Sequence, residues 1–281
     1  MSTAPFNDRS GADAFLAGLA DLGEGPWPLA AAALALACRD RPRVDLARYH
    51  HHLDGLAAEA AAAGAAARSP EERRAALAAV IAERYGYEGD RLTYEDLQNA
   101  NLMRVIDRRK GLPVALGILY LHAARAQGWD AAGLAFPGHF LLRLGESPER
   151  LVIDPFERGR ARDAAALREL LKSVAGAAAE LEPAHYAEVG DRDILLRLQN
   201  NIKLRLIQSR RLDEALAVID GMLLFAPDHA ALWREAGLVN AELGNLRAGI
   251  AALERALHRA GDDASRHRTA LLLQQLKSRL Q

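Results

Sequence analysis

The sequence predicts a mostly helical α+β fold in which a small antiparallel sheet lies within the first part of the chain and helical hairpins follow. Most of the chain repeats apolar residues every three or four positions, as amphipathic helices do. Three short apolar segments, 131–136, 139–144 and 151–154, are instead separated by turn residues such as Pro137-Gly138, which is typical of strands. After residue 184 a longer repeat begins.

Local chemistry marks the helix boundaries in the first part of the chain. The run Ser69-Pro70-Glu71-Glu72 is a helix start, because the serine can cap, proline suits the first helical position and Glu72 can complete a capping box. Pro113 opens the most apolar helix, 114–126, and Gly128 ends it. Asp163 caps a later helix. Since helix 114–126 is apolar on most faces, we expect it at the centre of the fold.

Composition limits the classes of function. The 281 residues carry 36 basic and 37 acidic side chains, a formal net charge of -1, which argues against nucleic acid as the main partner. The one cysteine, Cys38, cannot form an internal disulfide, and the N-terminus has no secretory signal pattern, so we expect a cytoplasmic protein. The most apolar early run, 28–38, is too short to span a bilayer, so we expect no membrane segment.

A 34-residue period relates two segments in the last third of the chain, where for example Leu212 corresponds to Leu246. This helix-turn-helix period, with Trp233 at a position between helices, resembles the tetratricopeptide repeat. Two units are present at most, and helix 264–280 is expected to cap them. The predicted organisation is a disordered tail over 1–10, one domain over 11–184 and helical repeats over 185–281.

His139 and Asp154 are the first candidates for chemistry. If the second and third strands form a hairpin that turns near Glu146 and Ser147, the two side chains become cross-strand neighbours. An imidazole held by a carboxylate is the base and orienting half of a catalytic triad. The alternative is a half-buried ion pair that fixes a hairpin, and the sequence leaves both interpretations open.

Several short motifs, in a fixed order, resemble one family. Residues 85–156 resemble the transglutaminase-like superfamily, and about 10–260 resemble the bacterial SirB-type family, which joins such a domain to tetratricopeptide repeats. The motifs are Asn99-Ala100-Asn101-Leu102, Arg108-Arg109-Lys110-Gly111-Leu112-Pro113, Phe136-Pro137-Gly138-His139-Phe140, Asp154-Pro155-Phe156 and Asp193-Ile194-Leu195-Leu196-Arg197. The resemblance implies a papain-type frame of central helix and sheet.

In active members of the superfamily a Gly-x-Cys motif places a thiolate at the start of the central helix, where the helix N-terminus lowers its pKa. The corresponding residues here are Gly111-Leu112-Pro113, and proline supplies neither a nucleophile nor a backbone donor. His139 and Asp154 match the other two triad positions. The resemblance therefore implies that thiol-based acyl transfer and proteolysis are absent, as is usual for the SirB-type family.

Two other features invite a chemical interpretation. Cys38 is a conceivable relocated nucleophile, but it lies in an alanine- and leucine-rich helix, where thiols are usually inert. His50-His51-His52 suggests a metal site, but consecutive helical residues point about 100° apart and cannot share one ion. We therefore expect no metal and no cofactor.

The remaining candidates are binding residues. Arg108 and Arg109, with Lys110, precede a helix N-terminus and could bind an anion there, or form a solvated turn in which an arginine pairs with Glu95 or Asp96. Asn101 and Trp233 are further candidates, although an aromatic residue at a repeat position more often fills the gap between helices.

Two functions follow from these observations. The first is a non-catalytic, cytoplasmic protein-binding adaptor or regulator that holds a protein or peptide partner in the groove of the repeats. The alternative is a cysteine-independent hydrolase or acyltransferase in which His139, oriented by Asp154, acts as a general base. The sequence names neither the partner nor the oligomeric state.

Overall fold

A computed structural model describes residues 5–23, 25–146 and 148–280 of the chain. Two compact units divide it: Met1–Phe15 with Glu24–Leu198, and Leu16–Gly23 with Gln199–Gln281. In the described ranges, no helix combines the length and the apolar character needed to cross a membrane.

Helices make up most of the structure, as predicted. Those before residue 190 are α1 (Arg9–Leu19), α2 (Leu29–Asp40), α3 (Ala47–Gly64), α4 (Pro70–Ala78), α5 (Leu102–Arg108), α6 (Pro113–Arg125) and α7 (Ala164–Ala175). Those after it are α8 (Asp191–Gln208), α9 (Leu212–Phe225), α10 (Ala230–Glu242), α11 (Leu246–His258) and α12 (Asp263–Leu280). A π-helical turn follows α4, and short 3-10 turns occupy Leu97–Ala100, Pro155–Glu157 and Pro183–Tyr186.

The predicted small antiparallel sheet is present in the first unit. Its strands are β3 (Ala131–Leu134), β4 (Leu141–Leu144), β5 (Leu151–Asp154), β6 (Arg160–Ala161) and β7 (Glu188–Val189), in the spatial order β6-β5-β4-β3-β7. Two further short strands, β1 (Glu88–Gly89) and β2 (Lys110–Gly111), form a separate parallel pair. Strands β3 and β4 are each two residues shorter than predicted, whereas β5 has the predicted bounds. Strands β6 and β7 add edges that are too short for a periodic sequence signal.

Helix α6 is the core of the first unit. It begins at Pro113, as predicted, and packs on β3 and β4. Phe140 packs directly on Gly117, where an added Cβ would lie 2.4 Å from the phenyl ring. The opposite face of the sheet packs against Leu167 and Leu171 of α7. Alternation of side chains along the strands thus buries the sheet on both faces.

The predicted helix caps of the first unit are present. The Ser69 hydroxyl accepts a hydrogen bond from the Glu72 amide at 3.3 Å, and the Glu72 carboxylate accepts one from the Ser69 amide at 3.0 Å. The carboxylate of Asp163 caps α7 by accepting from the Ala166 amide at 2.8 Å. These are contacts over three residues, which is why the local sequence suffices to predict them.

Helical hairpins make up the second unit beyond residue 199. The backbones of α10 and α11 approach closely because both contact points are glycines: a Cβ added to Gly249 would lie 3.0 Å from the Gly237 carbonyl oxygen. Helix α12 packs on α11 through Leu273 and Leu276, which join a cluster with Leu253. The predicted terminal helix is therefore present and covers the last hairpin.

Two predicted boundaries differ from the structure. Residues 1–4 of the expected disordered tail lie outside the described residues, but Phe6 is buried, with ring centroids 5.2 Å from Phe15 and 5.0 Å from His50, and α1 begins at Arg9. The first unit extends to Leu198 instead of 184, because the first turns of α8 contact it: the Asp191 carboxylate accepts from the Trp27 amide at 2.7 Å.

The contact between Gly117 and Phe140 leads to a stability prediction. Gly117→Ala adds a methyl group where Phe140 already lies, and we expect this overpacking to lower the free energy of unfolding by about 1–3 kcal/mol. The matched control is Gly18→Ala in α1, where no atom lies within 4 Å of the added Cβ. There the better helix propensity of alanine should raise the free energy of unfolding by about 0.5–1 kcal/mol. Urea denaturation measures both, and equal effects at the two glycines would contradict the packing described.

Candidate functional site

His139 and Asp154 meet in the first unit. The His139 Nε2 atom lies 2.9 Å from the Asp154 Oδ1 atom. Asp154 is the last residue of β5, whereas His139 lies in a bend two residues before β4 begins. The strand register pairs Leu142 with Ile153, so the expected cross-strand pairing of His139 with Asp154 is wrong by two residues. The ring reaches the carboxylate from the bend instead of from a strand.

The Asp154 carboxylate is fully buried and its oxygen atoms are saturated with donors. Oδ1 accepts from His139 and from the Phe156 amide at 3.0 Å, and Oδ2 accepts from Arg162 Nη2 at 2.8 Å and Nε at 3.2 Å. Burial alone would raise the pKa of Asp154, but the hydrogen bonds and charges of His139 and Arg162 hold that pKa below its usual value. Asp154 is therefore an ionised carboxylate with an arginine counter-ion.

The backbone of the His139 bend is held by Arg197 of α8. Its Nη2 atom donates to the His139 carbonyl oxygen at 2.6 Å, and its Nη1 atom donates to the Phe136 carbonyl oxygen at 3.3 Å. Burial lowers the pKa of Arg197 from its usual value. Arg197 lies in one of the motifs that resemble the family, but its role was not predicted, and Arg162 was not a candidate. Nothing local in the sequence points to the partners of either arginine.

The ring of His139 is only partly accessible. Its side chain is 12% exposed, and the ring of Phe156 lies edge-on to it with centroids 5.9 Å apart. In the described part of the chain Nδ1 makes no hydrogen bond. The arrangement is an imidazole ring hydrogen-bonded to a buried carboxylate, and a catalytic step would require a reactant at Nδ1.

The start of α6 offers no such reactant. Leu112, Pro113 and Val114 are all buried, and Gly111 packs on Val105, where an added Cβ would lie 3.0 Å from a methyl group. The Leu112 amide is used in a hydrogen bond to the Asn99 carbonyl oxygen at 2.9 Å. No side chain of this segment is a nucleophile.

Cys38 is a buried thiol in α2. Burial, followed by the nearby carboxylates of Asp13 and Asp8, raises the pKa of the Cys38 thiol above its usual value. The thiol is therefore protonated at neutral pH and has the properties of a packing residue.

The three consecutive histidines have three different surroundings. His50 contacts Phe6, His51 is exposed, and the His52 Nε2 atom lies 2.7 Å from the Tyr87 hydroxyl. Throughout the ranges that the structure describes, no group of three histidine, cysteine, aspartate or glutamate side chains could hold a metal ion.

The basic run before α6 is divided among different partners. Arg108 pairs with Asp90 at 2.7 Å and donates to Asn99 Oδ1 at 2.8 Å, so the expected alternatives, Glu95 and Asp96, are not its partners. Arg109 lies instead beside Tyr87. The structure does not bring Arg108 and Arg109 together at one anion site.

The other two candidates have structural contacts. The Asn101 side chain caps α5 by accepting from the Arg104 amide at 3.2 Å, and it donates to Asp40 at 3.0 Å. In the second unit Trp233 Nε1 donates to the Pro227 carbonyl oxygen at 2.7 Å, and the Arg255 guanidinium lies 4.7 Å from the Trp233 ring centroid.

Comparison with protein families agrees with the fold described above, a mixed helix-and-sheet unit followed by helical hairpins. A family model described as the transglutaminase-like superfamily matches residues 47–200, and a model described as a tetratricopeptide repeat matches residues 202–274. The first match covers more than half of the chain, so the chain belongs to the transglutaminase-like superfamily and carries tetratricopeptide repeats after that domain.

Individual relatives agree with the narrower SirB-type resemblance. A UPF0162 protein of Xylella fastidiosa is 30% identical over 247 residues, which are 85% of this chain and 86% of that protein. Protein SirB1 of Salmonella typhimurium is 27% identical over 168 residues, or 59% of this chain and 62% of that protein. A crystal structure of menin aligns with 95% of this chain and 75% of its own at a TM-score of 0.40 and 11% identity, a likeness too low to carry an argument.

The saturated carboxylate leads to a prediction for stability. Asp154→Asn keeps the shape but leaves Arg162 without its counter-ion, and removing one partner of a buried ion pair should cost about 3–5 kcal/mol of unfolding free energy. Urea denaturation at neutral pH measures this cost. The control Asp263→Asn removes a carboxylate that is paired with Arg266 but exposed, and should have no measurable effect. If the two substitutions behave alike, Asp154 is not the structural joint described.

The lowered pKa of Asp154 also predicts how the free energy of unfolding depends on pH. Because the pKa of Asp154 is lower in the folded protein, its contribution to stability is complete above the unfolded value of about 3.9. That contribution is lost as the pH falls through the folded pKa. We expect the unfolding free energy of the wild type to fall more steeply in this acid range than that of Asp154→Asn, and parallel curves would contradict the assignment.

Proposed function

We propose that the chain is a non-catalytic transglutaminase-like protein that acts as an adaptor or regulator in the cytoplasm by binding another protein. The observation that supports the non-catalytic part is the start of α6, where Pro113 and its neighbours are buried. By the motif resemblance, Gly111-Leu112-Pro113 corresponds to the Gly-x-Cys motif of active members. The one cysteine of the chain, Cys38, is buried with a raised pKa. A single cysteine also fits a reducing compartment.

The environment of Asp154 supports the same proposal. An orienting carboxylate assists a histidine base by stabilising the imidazolium that forms when the base accepts a proton. Here Arg162 donates twice to the same carboxylate, so part of the negative charge is already compensated. This arrangement suits a joint between β5 and the His139 bend better than a base that gains and loses a proton.

The binding part of the proposal rests on the second unit. Three large apolar side chains, Leu204, Leu238 and Leu271, are 53%, 40% and 48% exposed, one on each of α8, α10 and α12. Leu204 and Leu238 are one 34-residue period apart, so they occupy equivalent positions on the first helices of successive hairpins. Exposed apolar residues in a repeated position are typical of a surface on which the apolar face of a partner segment docks.

A test of the binding role is affinity capture from a cell extract with the full-length chain as bait, read by mass spectrometry. We expect a specific protein to be held by the wild type and lost from Leu204→Ser/Leu238→Ser/Leu271→Ser, because this triple variant removes these three exposed leucines. Leu92→Ser is the matched control, since Leu92 is a still more exposed leucine of the first unit, and it should retain the partner. Equal retention by both variants would place the binding surface elsewhere.

One observation favours a second candidate, the cysteine-independent hydrolase or acyltransferase: His139 keeps an oriented ring with Nδ1 free of protein partners in the described residues. The two candidates differ in turnover. We expect the wild type to hydrolyse activated esters and amides no faster than His139→Ala at the same concentration. Turnover that is lost in a folded His139→Ala variant would replace the adaptor proposal with the enzymatic one.

A further inference from the structure

The basic run Arg108-Arg109-Lys110 contains one cation without a carboxylate partner. Arg108 pairs with Asp90 at 2.7 Å and Lys110 with Glu88 at 3.5 Å. Arg109 forms no ion pair with any residue that the structure describes. Its charge is therefore available to a ligand, whereas the charges of its two neighbours are matched internally.

The side chain of Arg109 is held in a defined position. Its Nη1 atom donates to the Tyr87 hydroxyl at 2.5 Å and to the His52 Nε2 atom at 2.9 Å. The guanidinium carbon lies 4.8 Å from the ring centroid of Tyr87 and 5.4 Å from that of Tyr85. Two hydrogen bonds and two aromatic rings fix the plane of the guanidinium, so little side-chain entropy remains to be lost on binding.

The groups that hold Arg109 are neutral. An arginine can only donate, so His52 Nε2 accepts, and burial followed by the charge of Arg109 lowers the pKa of His52 to about 4. Burial raises the pKa of Tyr87. The nearby carboxylate of Glu59 accepts instead from the Tyr85 hydroxyl and from Arg84, each at 2.7 Å. The contacts of Arg109 therefore leave its positive charge uncompensated.

The free part of the guanidinium has a specific shape. The Nη1 atom of Arg109 makes both hydrogen bonds, whereas Nε and Nη2 make none within the described chain. Neither Nε nor Nη2 is fully buried. Each of these two atoms therefore keeps some surface accessible to solvent. These two N–H groups form one edge of the planar group, and their spacing matches the two oxygen atoms of a carboxylate.

We propose that Arg109 is a carboxylate-binding site, in which the Nε–Nη2 edge holds one carboxylate group in two parallel hydrogen bonds while Tyr85, Tyr87 and His52 keep the guanidinium in place. The carboxylate comes from a protein partner, either from an acidic side chain or from a chain end. Only this source rests on the proposed adaptor function, and the site can be tested without the partner.

The test is an NMR titration of the full-length protein, observing the Arg109 Nε–H and His52 ring resonances. Three short probes share one length: acetyl-Gly-Glu-Gly-amide carries a side-chain carboxylate, acetyl-Gly-Gly-Gly carries a terminal carboxylate, and acetyl-Gly-Gln-Gly-amide carries none. We expect one or both acidic probes, and not the glutamine probe, to shift the two resonances saturably. Comparing the two acidic probes distinguishes a side chain from a chain end. Binding should also raise the pKa of His52, because the carboxylate compensates the charge of Arg109.

Two substitutions of Arg109 distinguish the contribution of its Nε–Nη2 edge to binding from that of its charge. Arg109→Gln should weaken binding of the acidic probe by about tenfold or more, as expected for a lost charge-assisted pair. Arg109→Lys keeps the charge but not the edge and should still weaken it by about fivefold. The control Arg104→Gln, which removes an exposed arginine of α5, should change the affinity less than about twofold. If Arg109→Gln does not fold, the lysine variant carries the test.

Three results would overturn the proposal: equal binding of the glutamine probe, unchanged affinity in Arg109→Lys and Arg109→Gln, or an equal loss in Arg104→Gln, which would indicate attraction to net charge alone. Stronger binding of inorganic phosphate than of either acidic probe would reject the carboxylate assignment. Acidic probes that bind at Arg109 while no protein is captured from extract would keep the site and refute the adaptor function.

Discussion

The Asp154 carboxylate joins more separate segments than any other contact of the candidate site. It ends β5, accepts from the first amides of the following 3-10 turn, and holds both the His139 ring and the Arg162 guanidinium. A fully buried charge is tolerated only when donors replace the lost water, and four groups do so here. The bend that carries His139 depends on this carboxylate from one side and on Arg197 from the other.

This constraint gives His139 and Asp154 a structural role in the first unit that does not depend on catalysis. Their contacts hold together the end of β5, the His139 bend and Arg162, which directly follows β6. The apolar start of α6 is buried in the same unit. In the second unit, glycines allow the backbones of α10 and α11 to approach closely. One leucine on each of α8, α10 and α12 is exposed.

Local chemistry in the sequence predicted the elements that depend on near neighbours. The Ser69 capping box, the Pro113 helix start and the Asp163 cap each involve residues within four positions, and the 34-residue period predicted the hairpins. The strand register could not be predicted in the same way, because a shift of two residues leaves every side chain on the same face of the sheet. Arg197 was missed as well, since it binds backbone carbonyl groups 58 and 61 residues away, and a carbonyl group has no sequence signature. Phe6 was placed in a tail because one aromatic residue makes no periodic pattern.

We infer that the His139–Asp154 pair has a structural role and is not a base held ready for a reactant. The most direct test supplies the missing reactant: Pro113→Cys in a Cys38→Ala background, with the alkylation rate by iodoacetamide followed against pH. We expect a slow reaction with a thiol pKa at or above the ordinary value of about 8.5, unchanged by His139→Ala, because the helix start is buried among apolar residues. A fast reaction with a thiol pKa below about 7 that His139→Ala abolishes would contradict it, since the pair would then still activate a nucleophile.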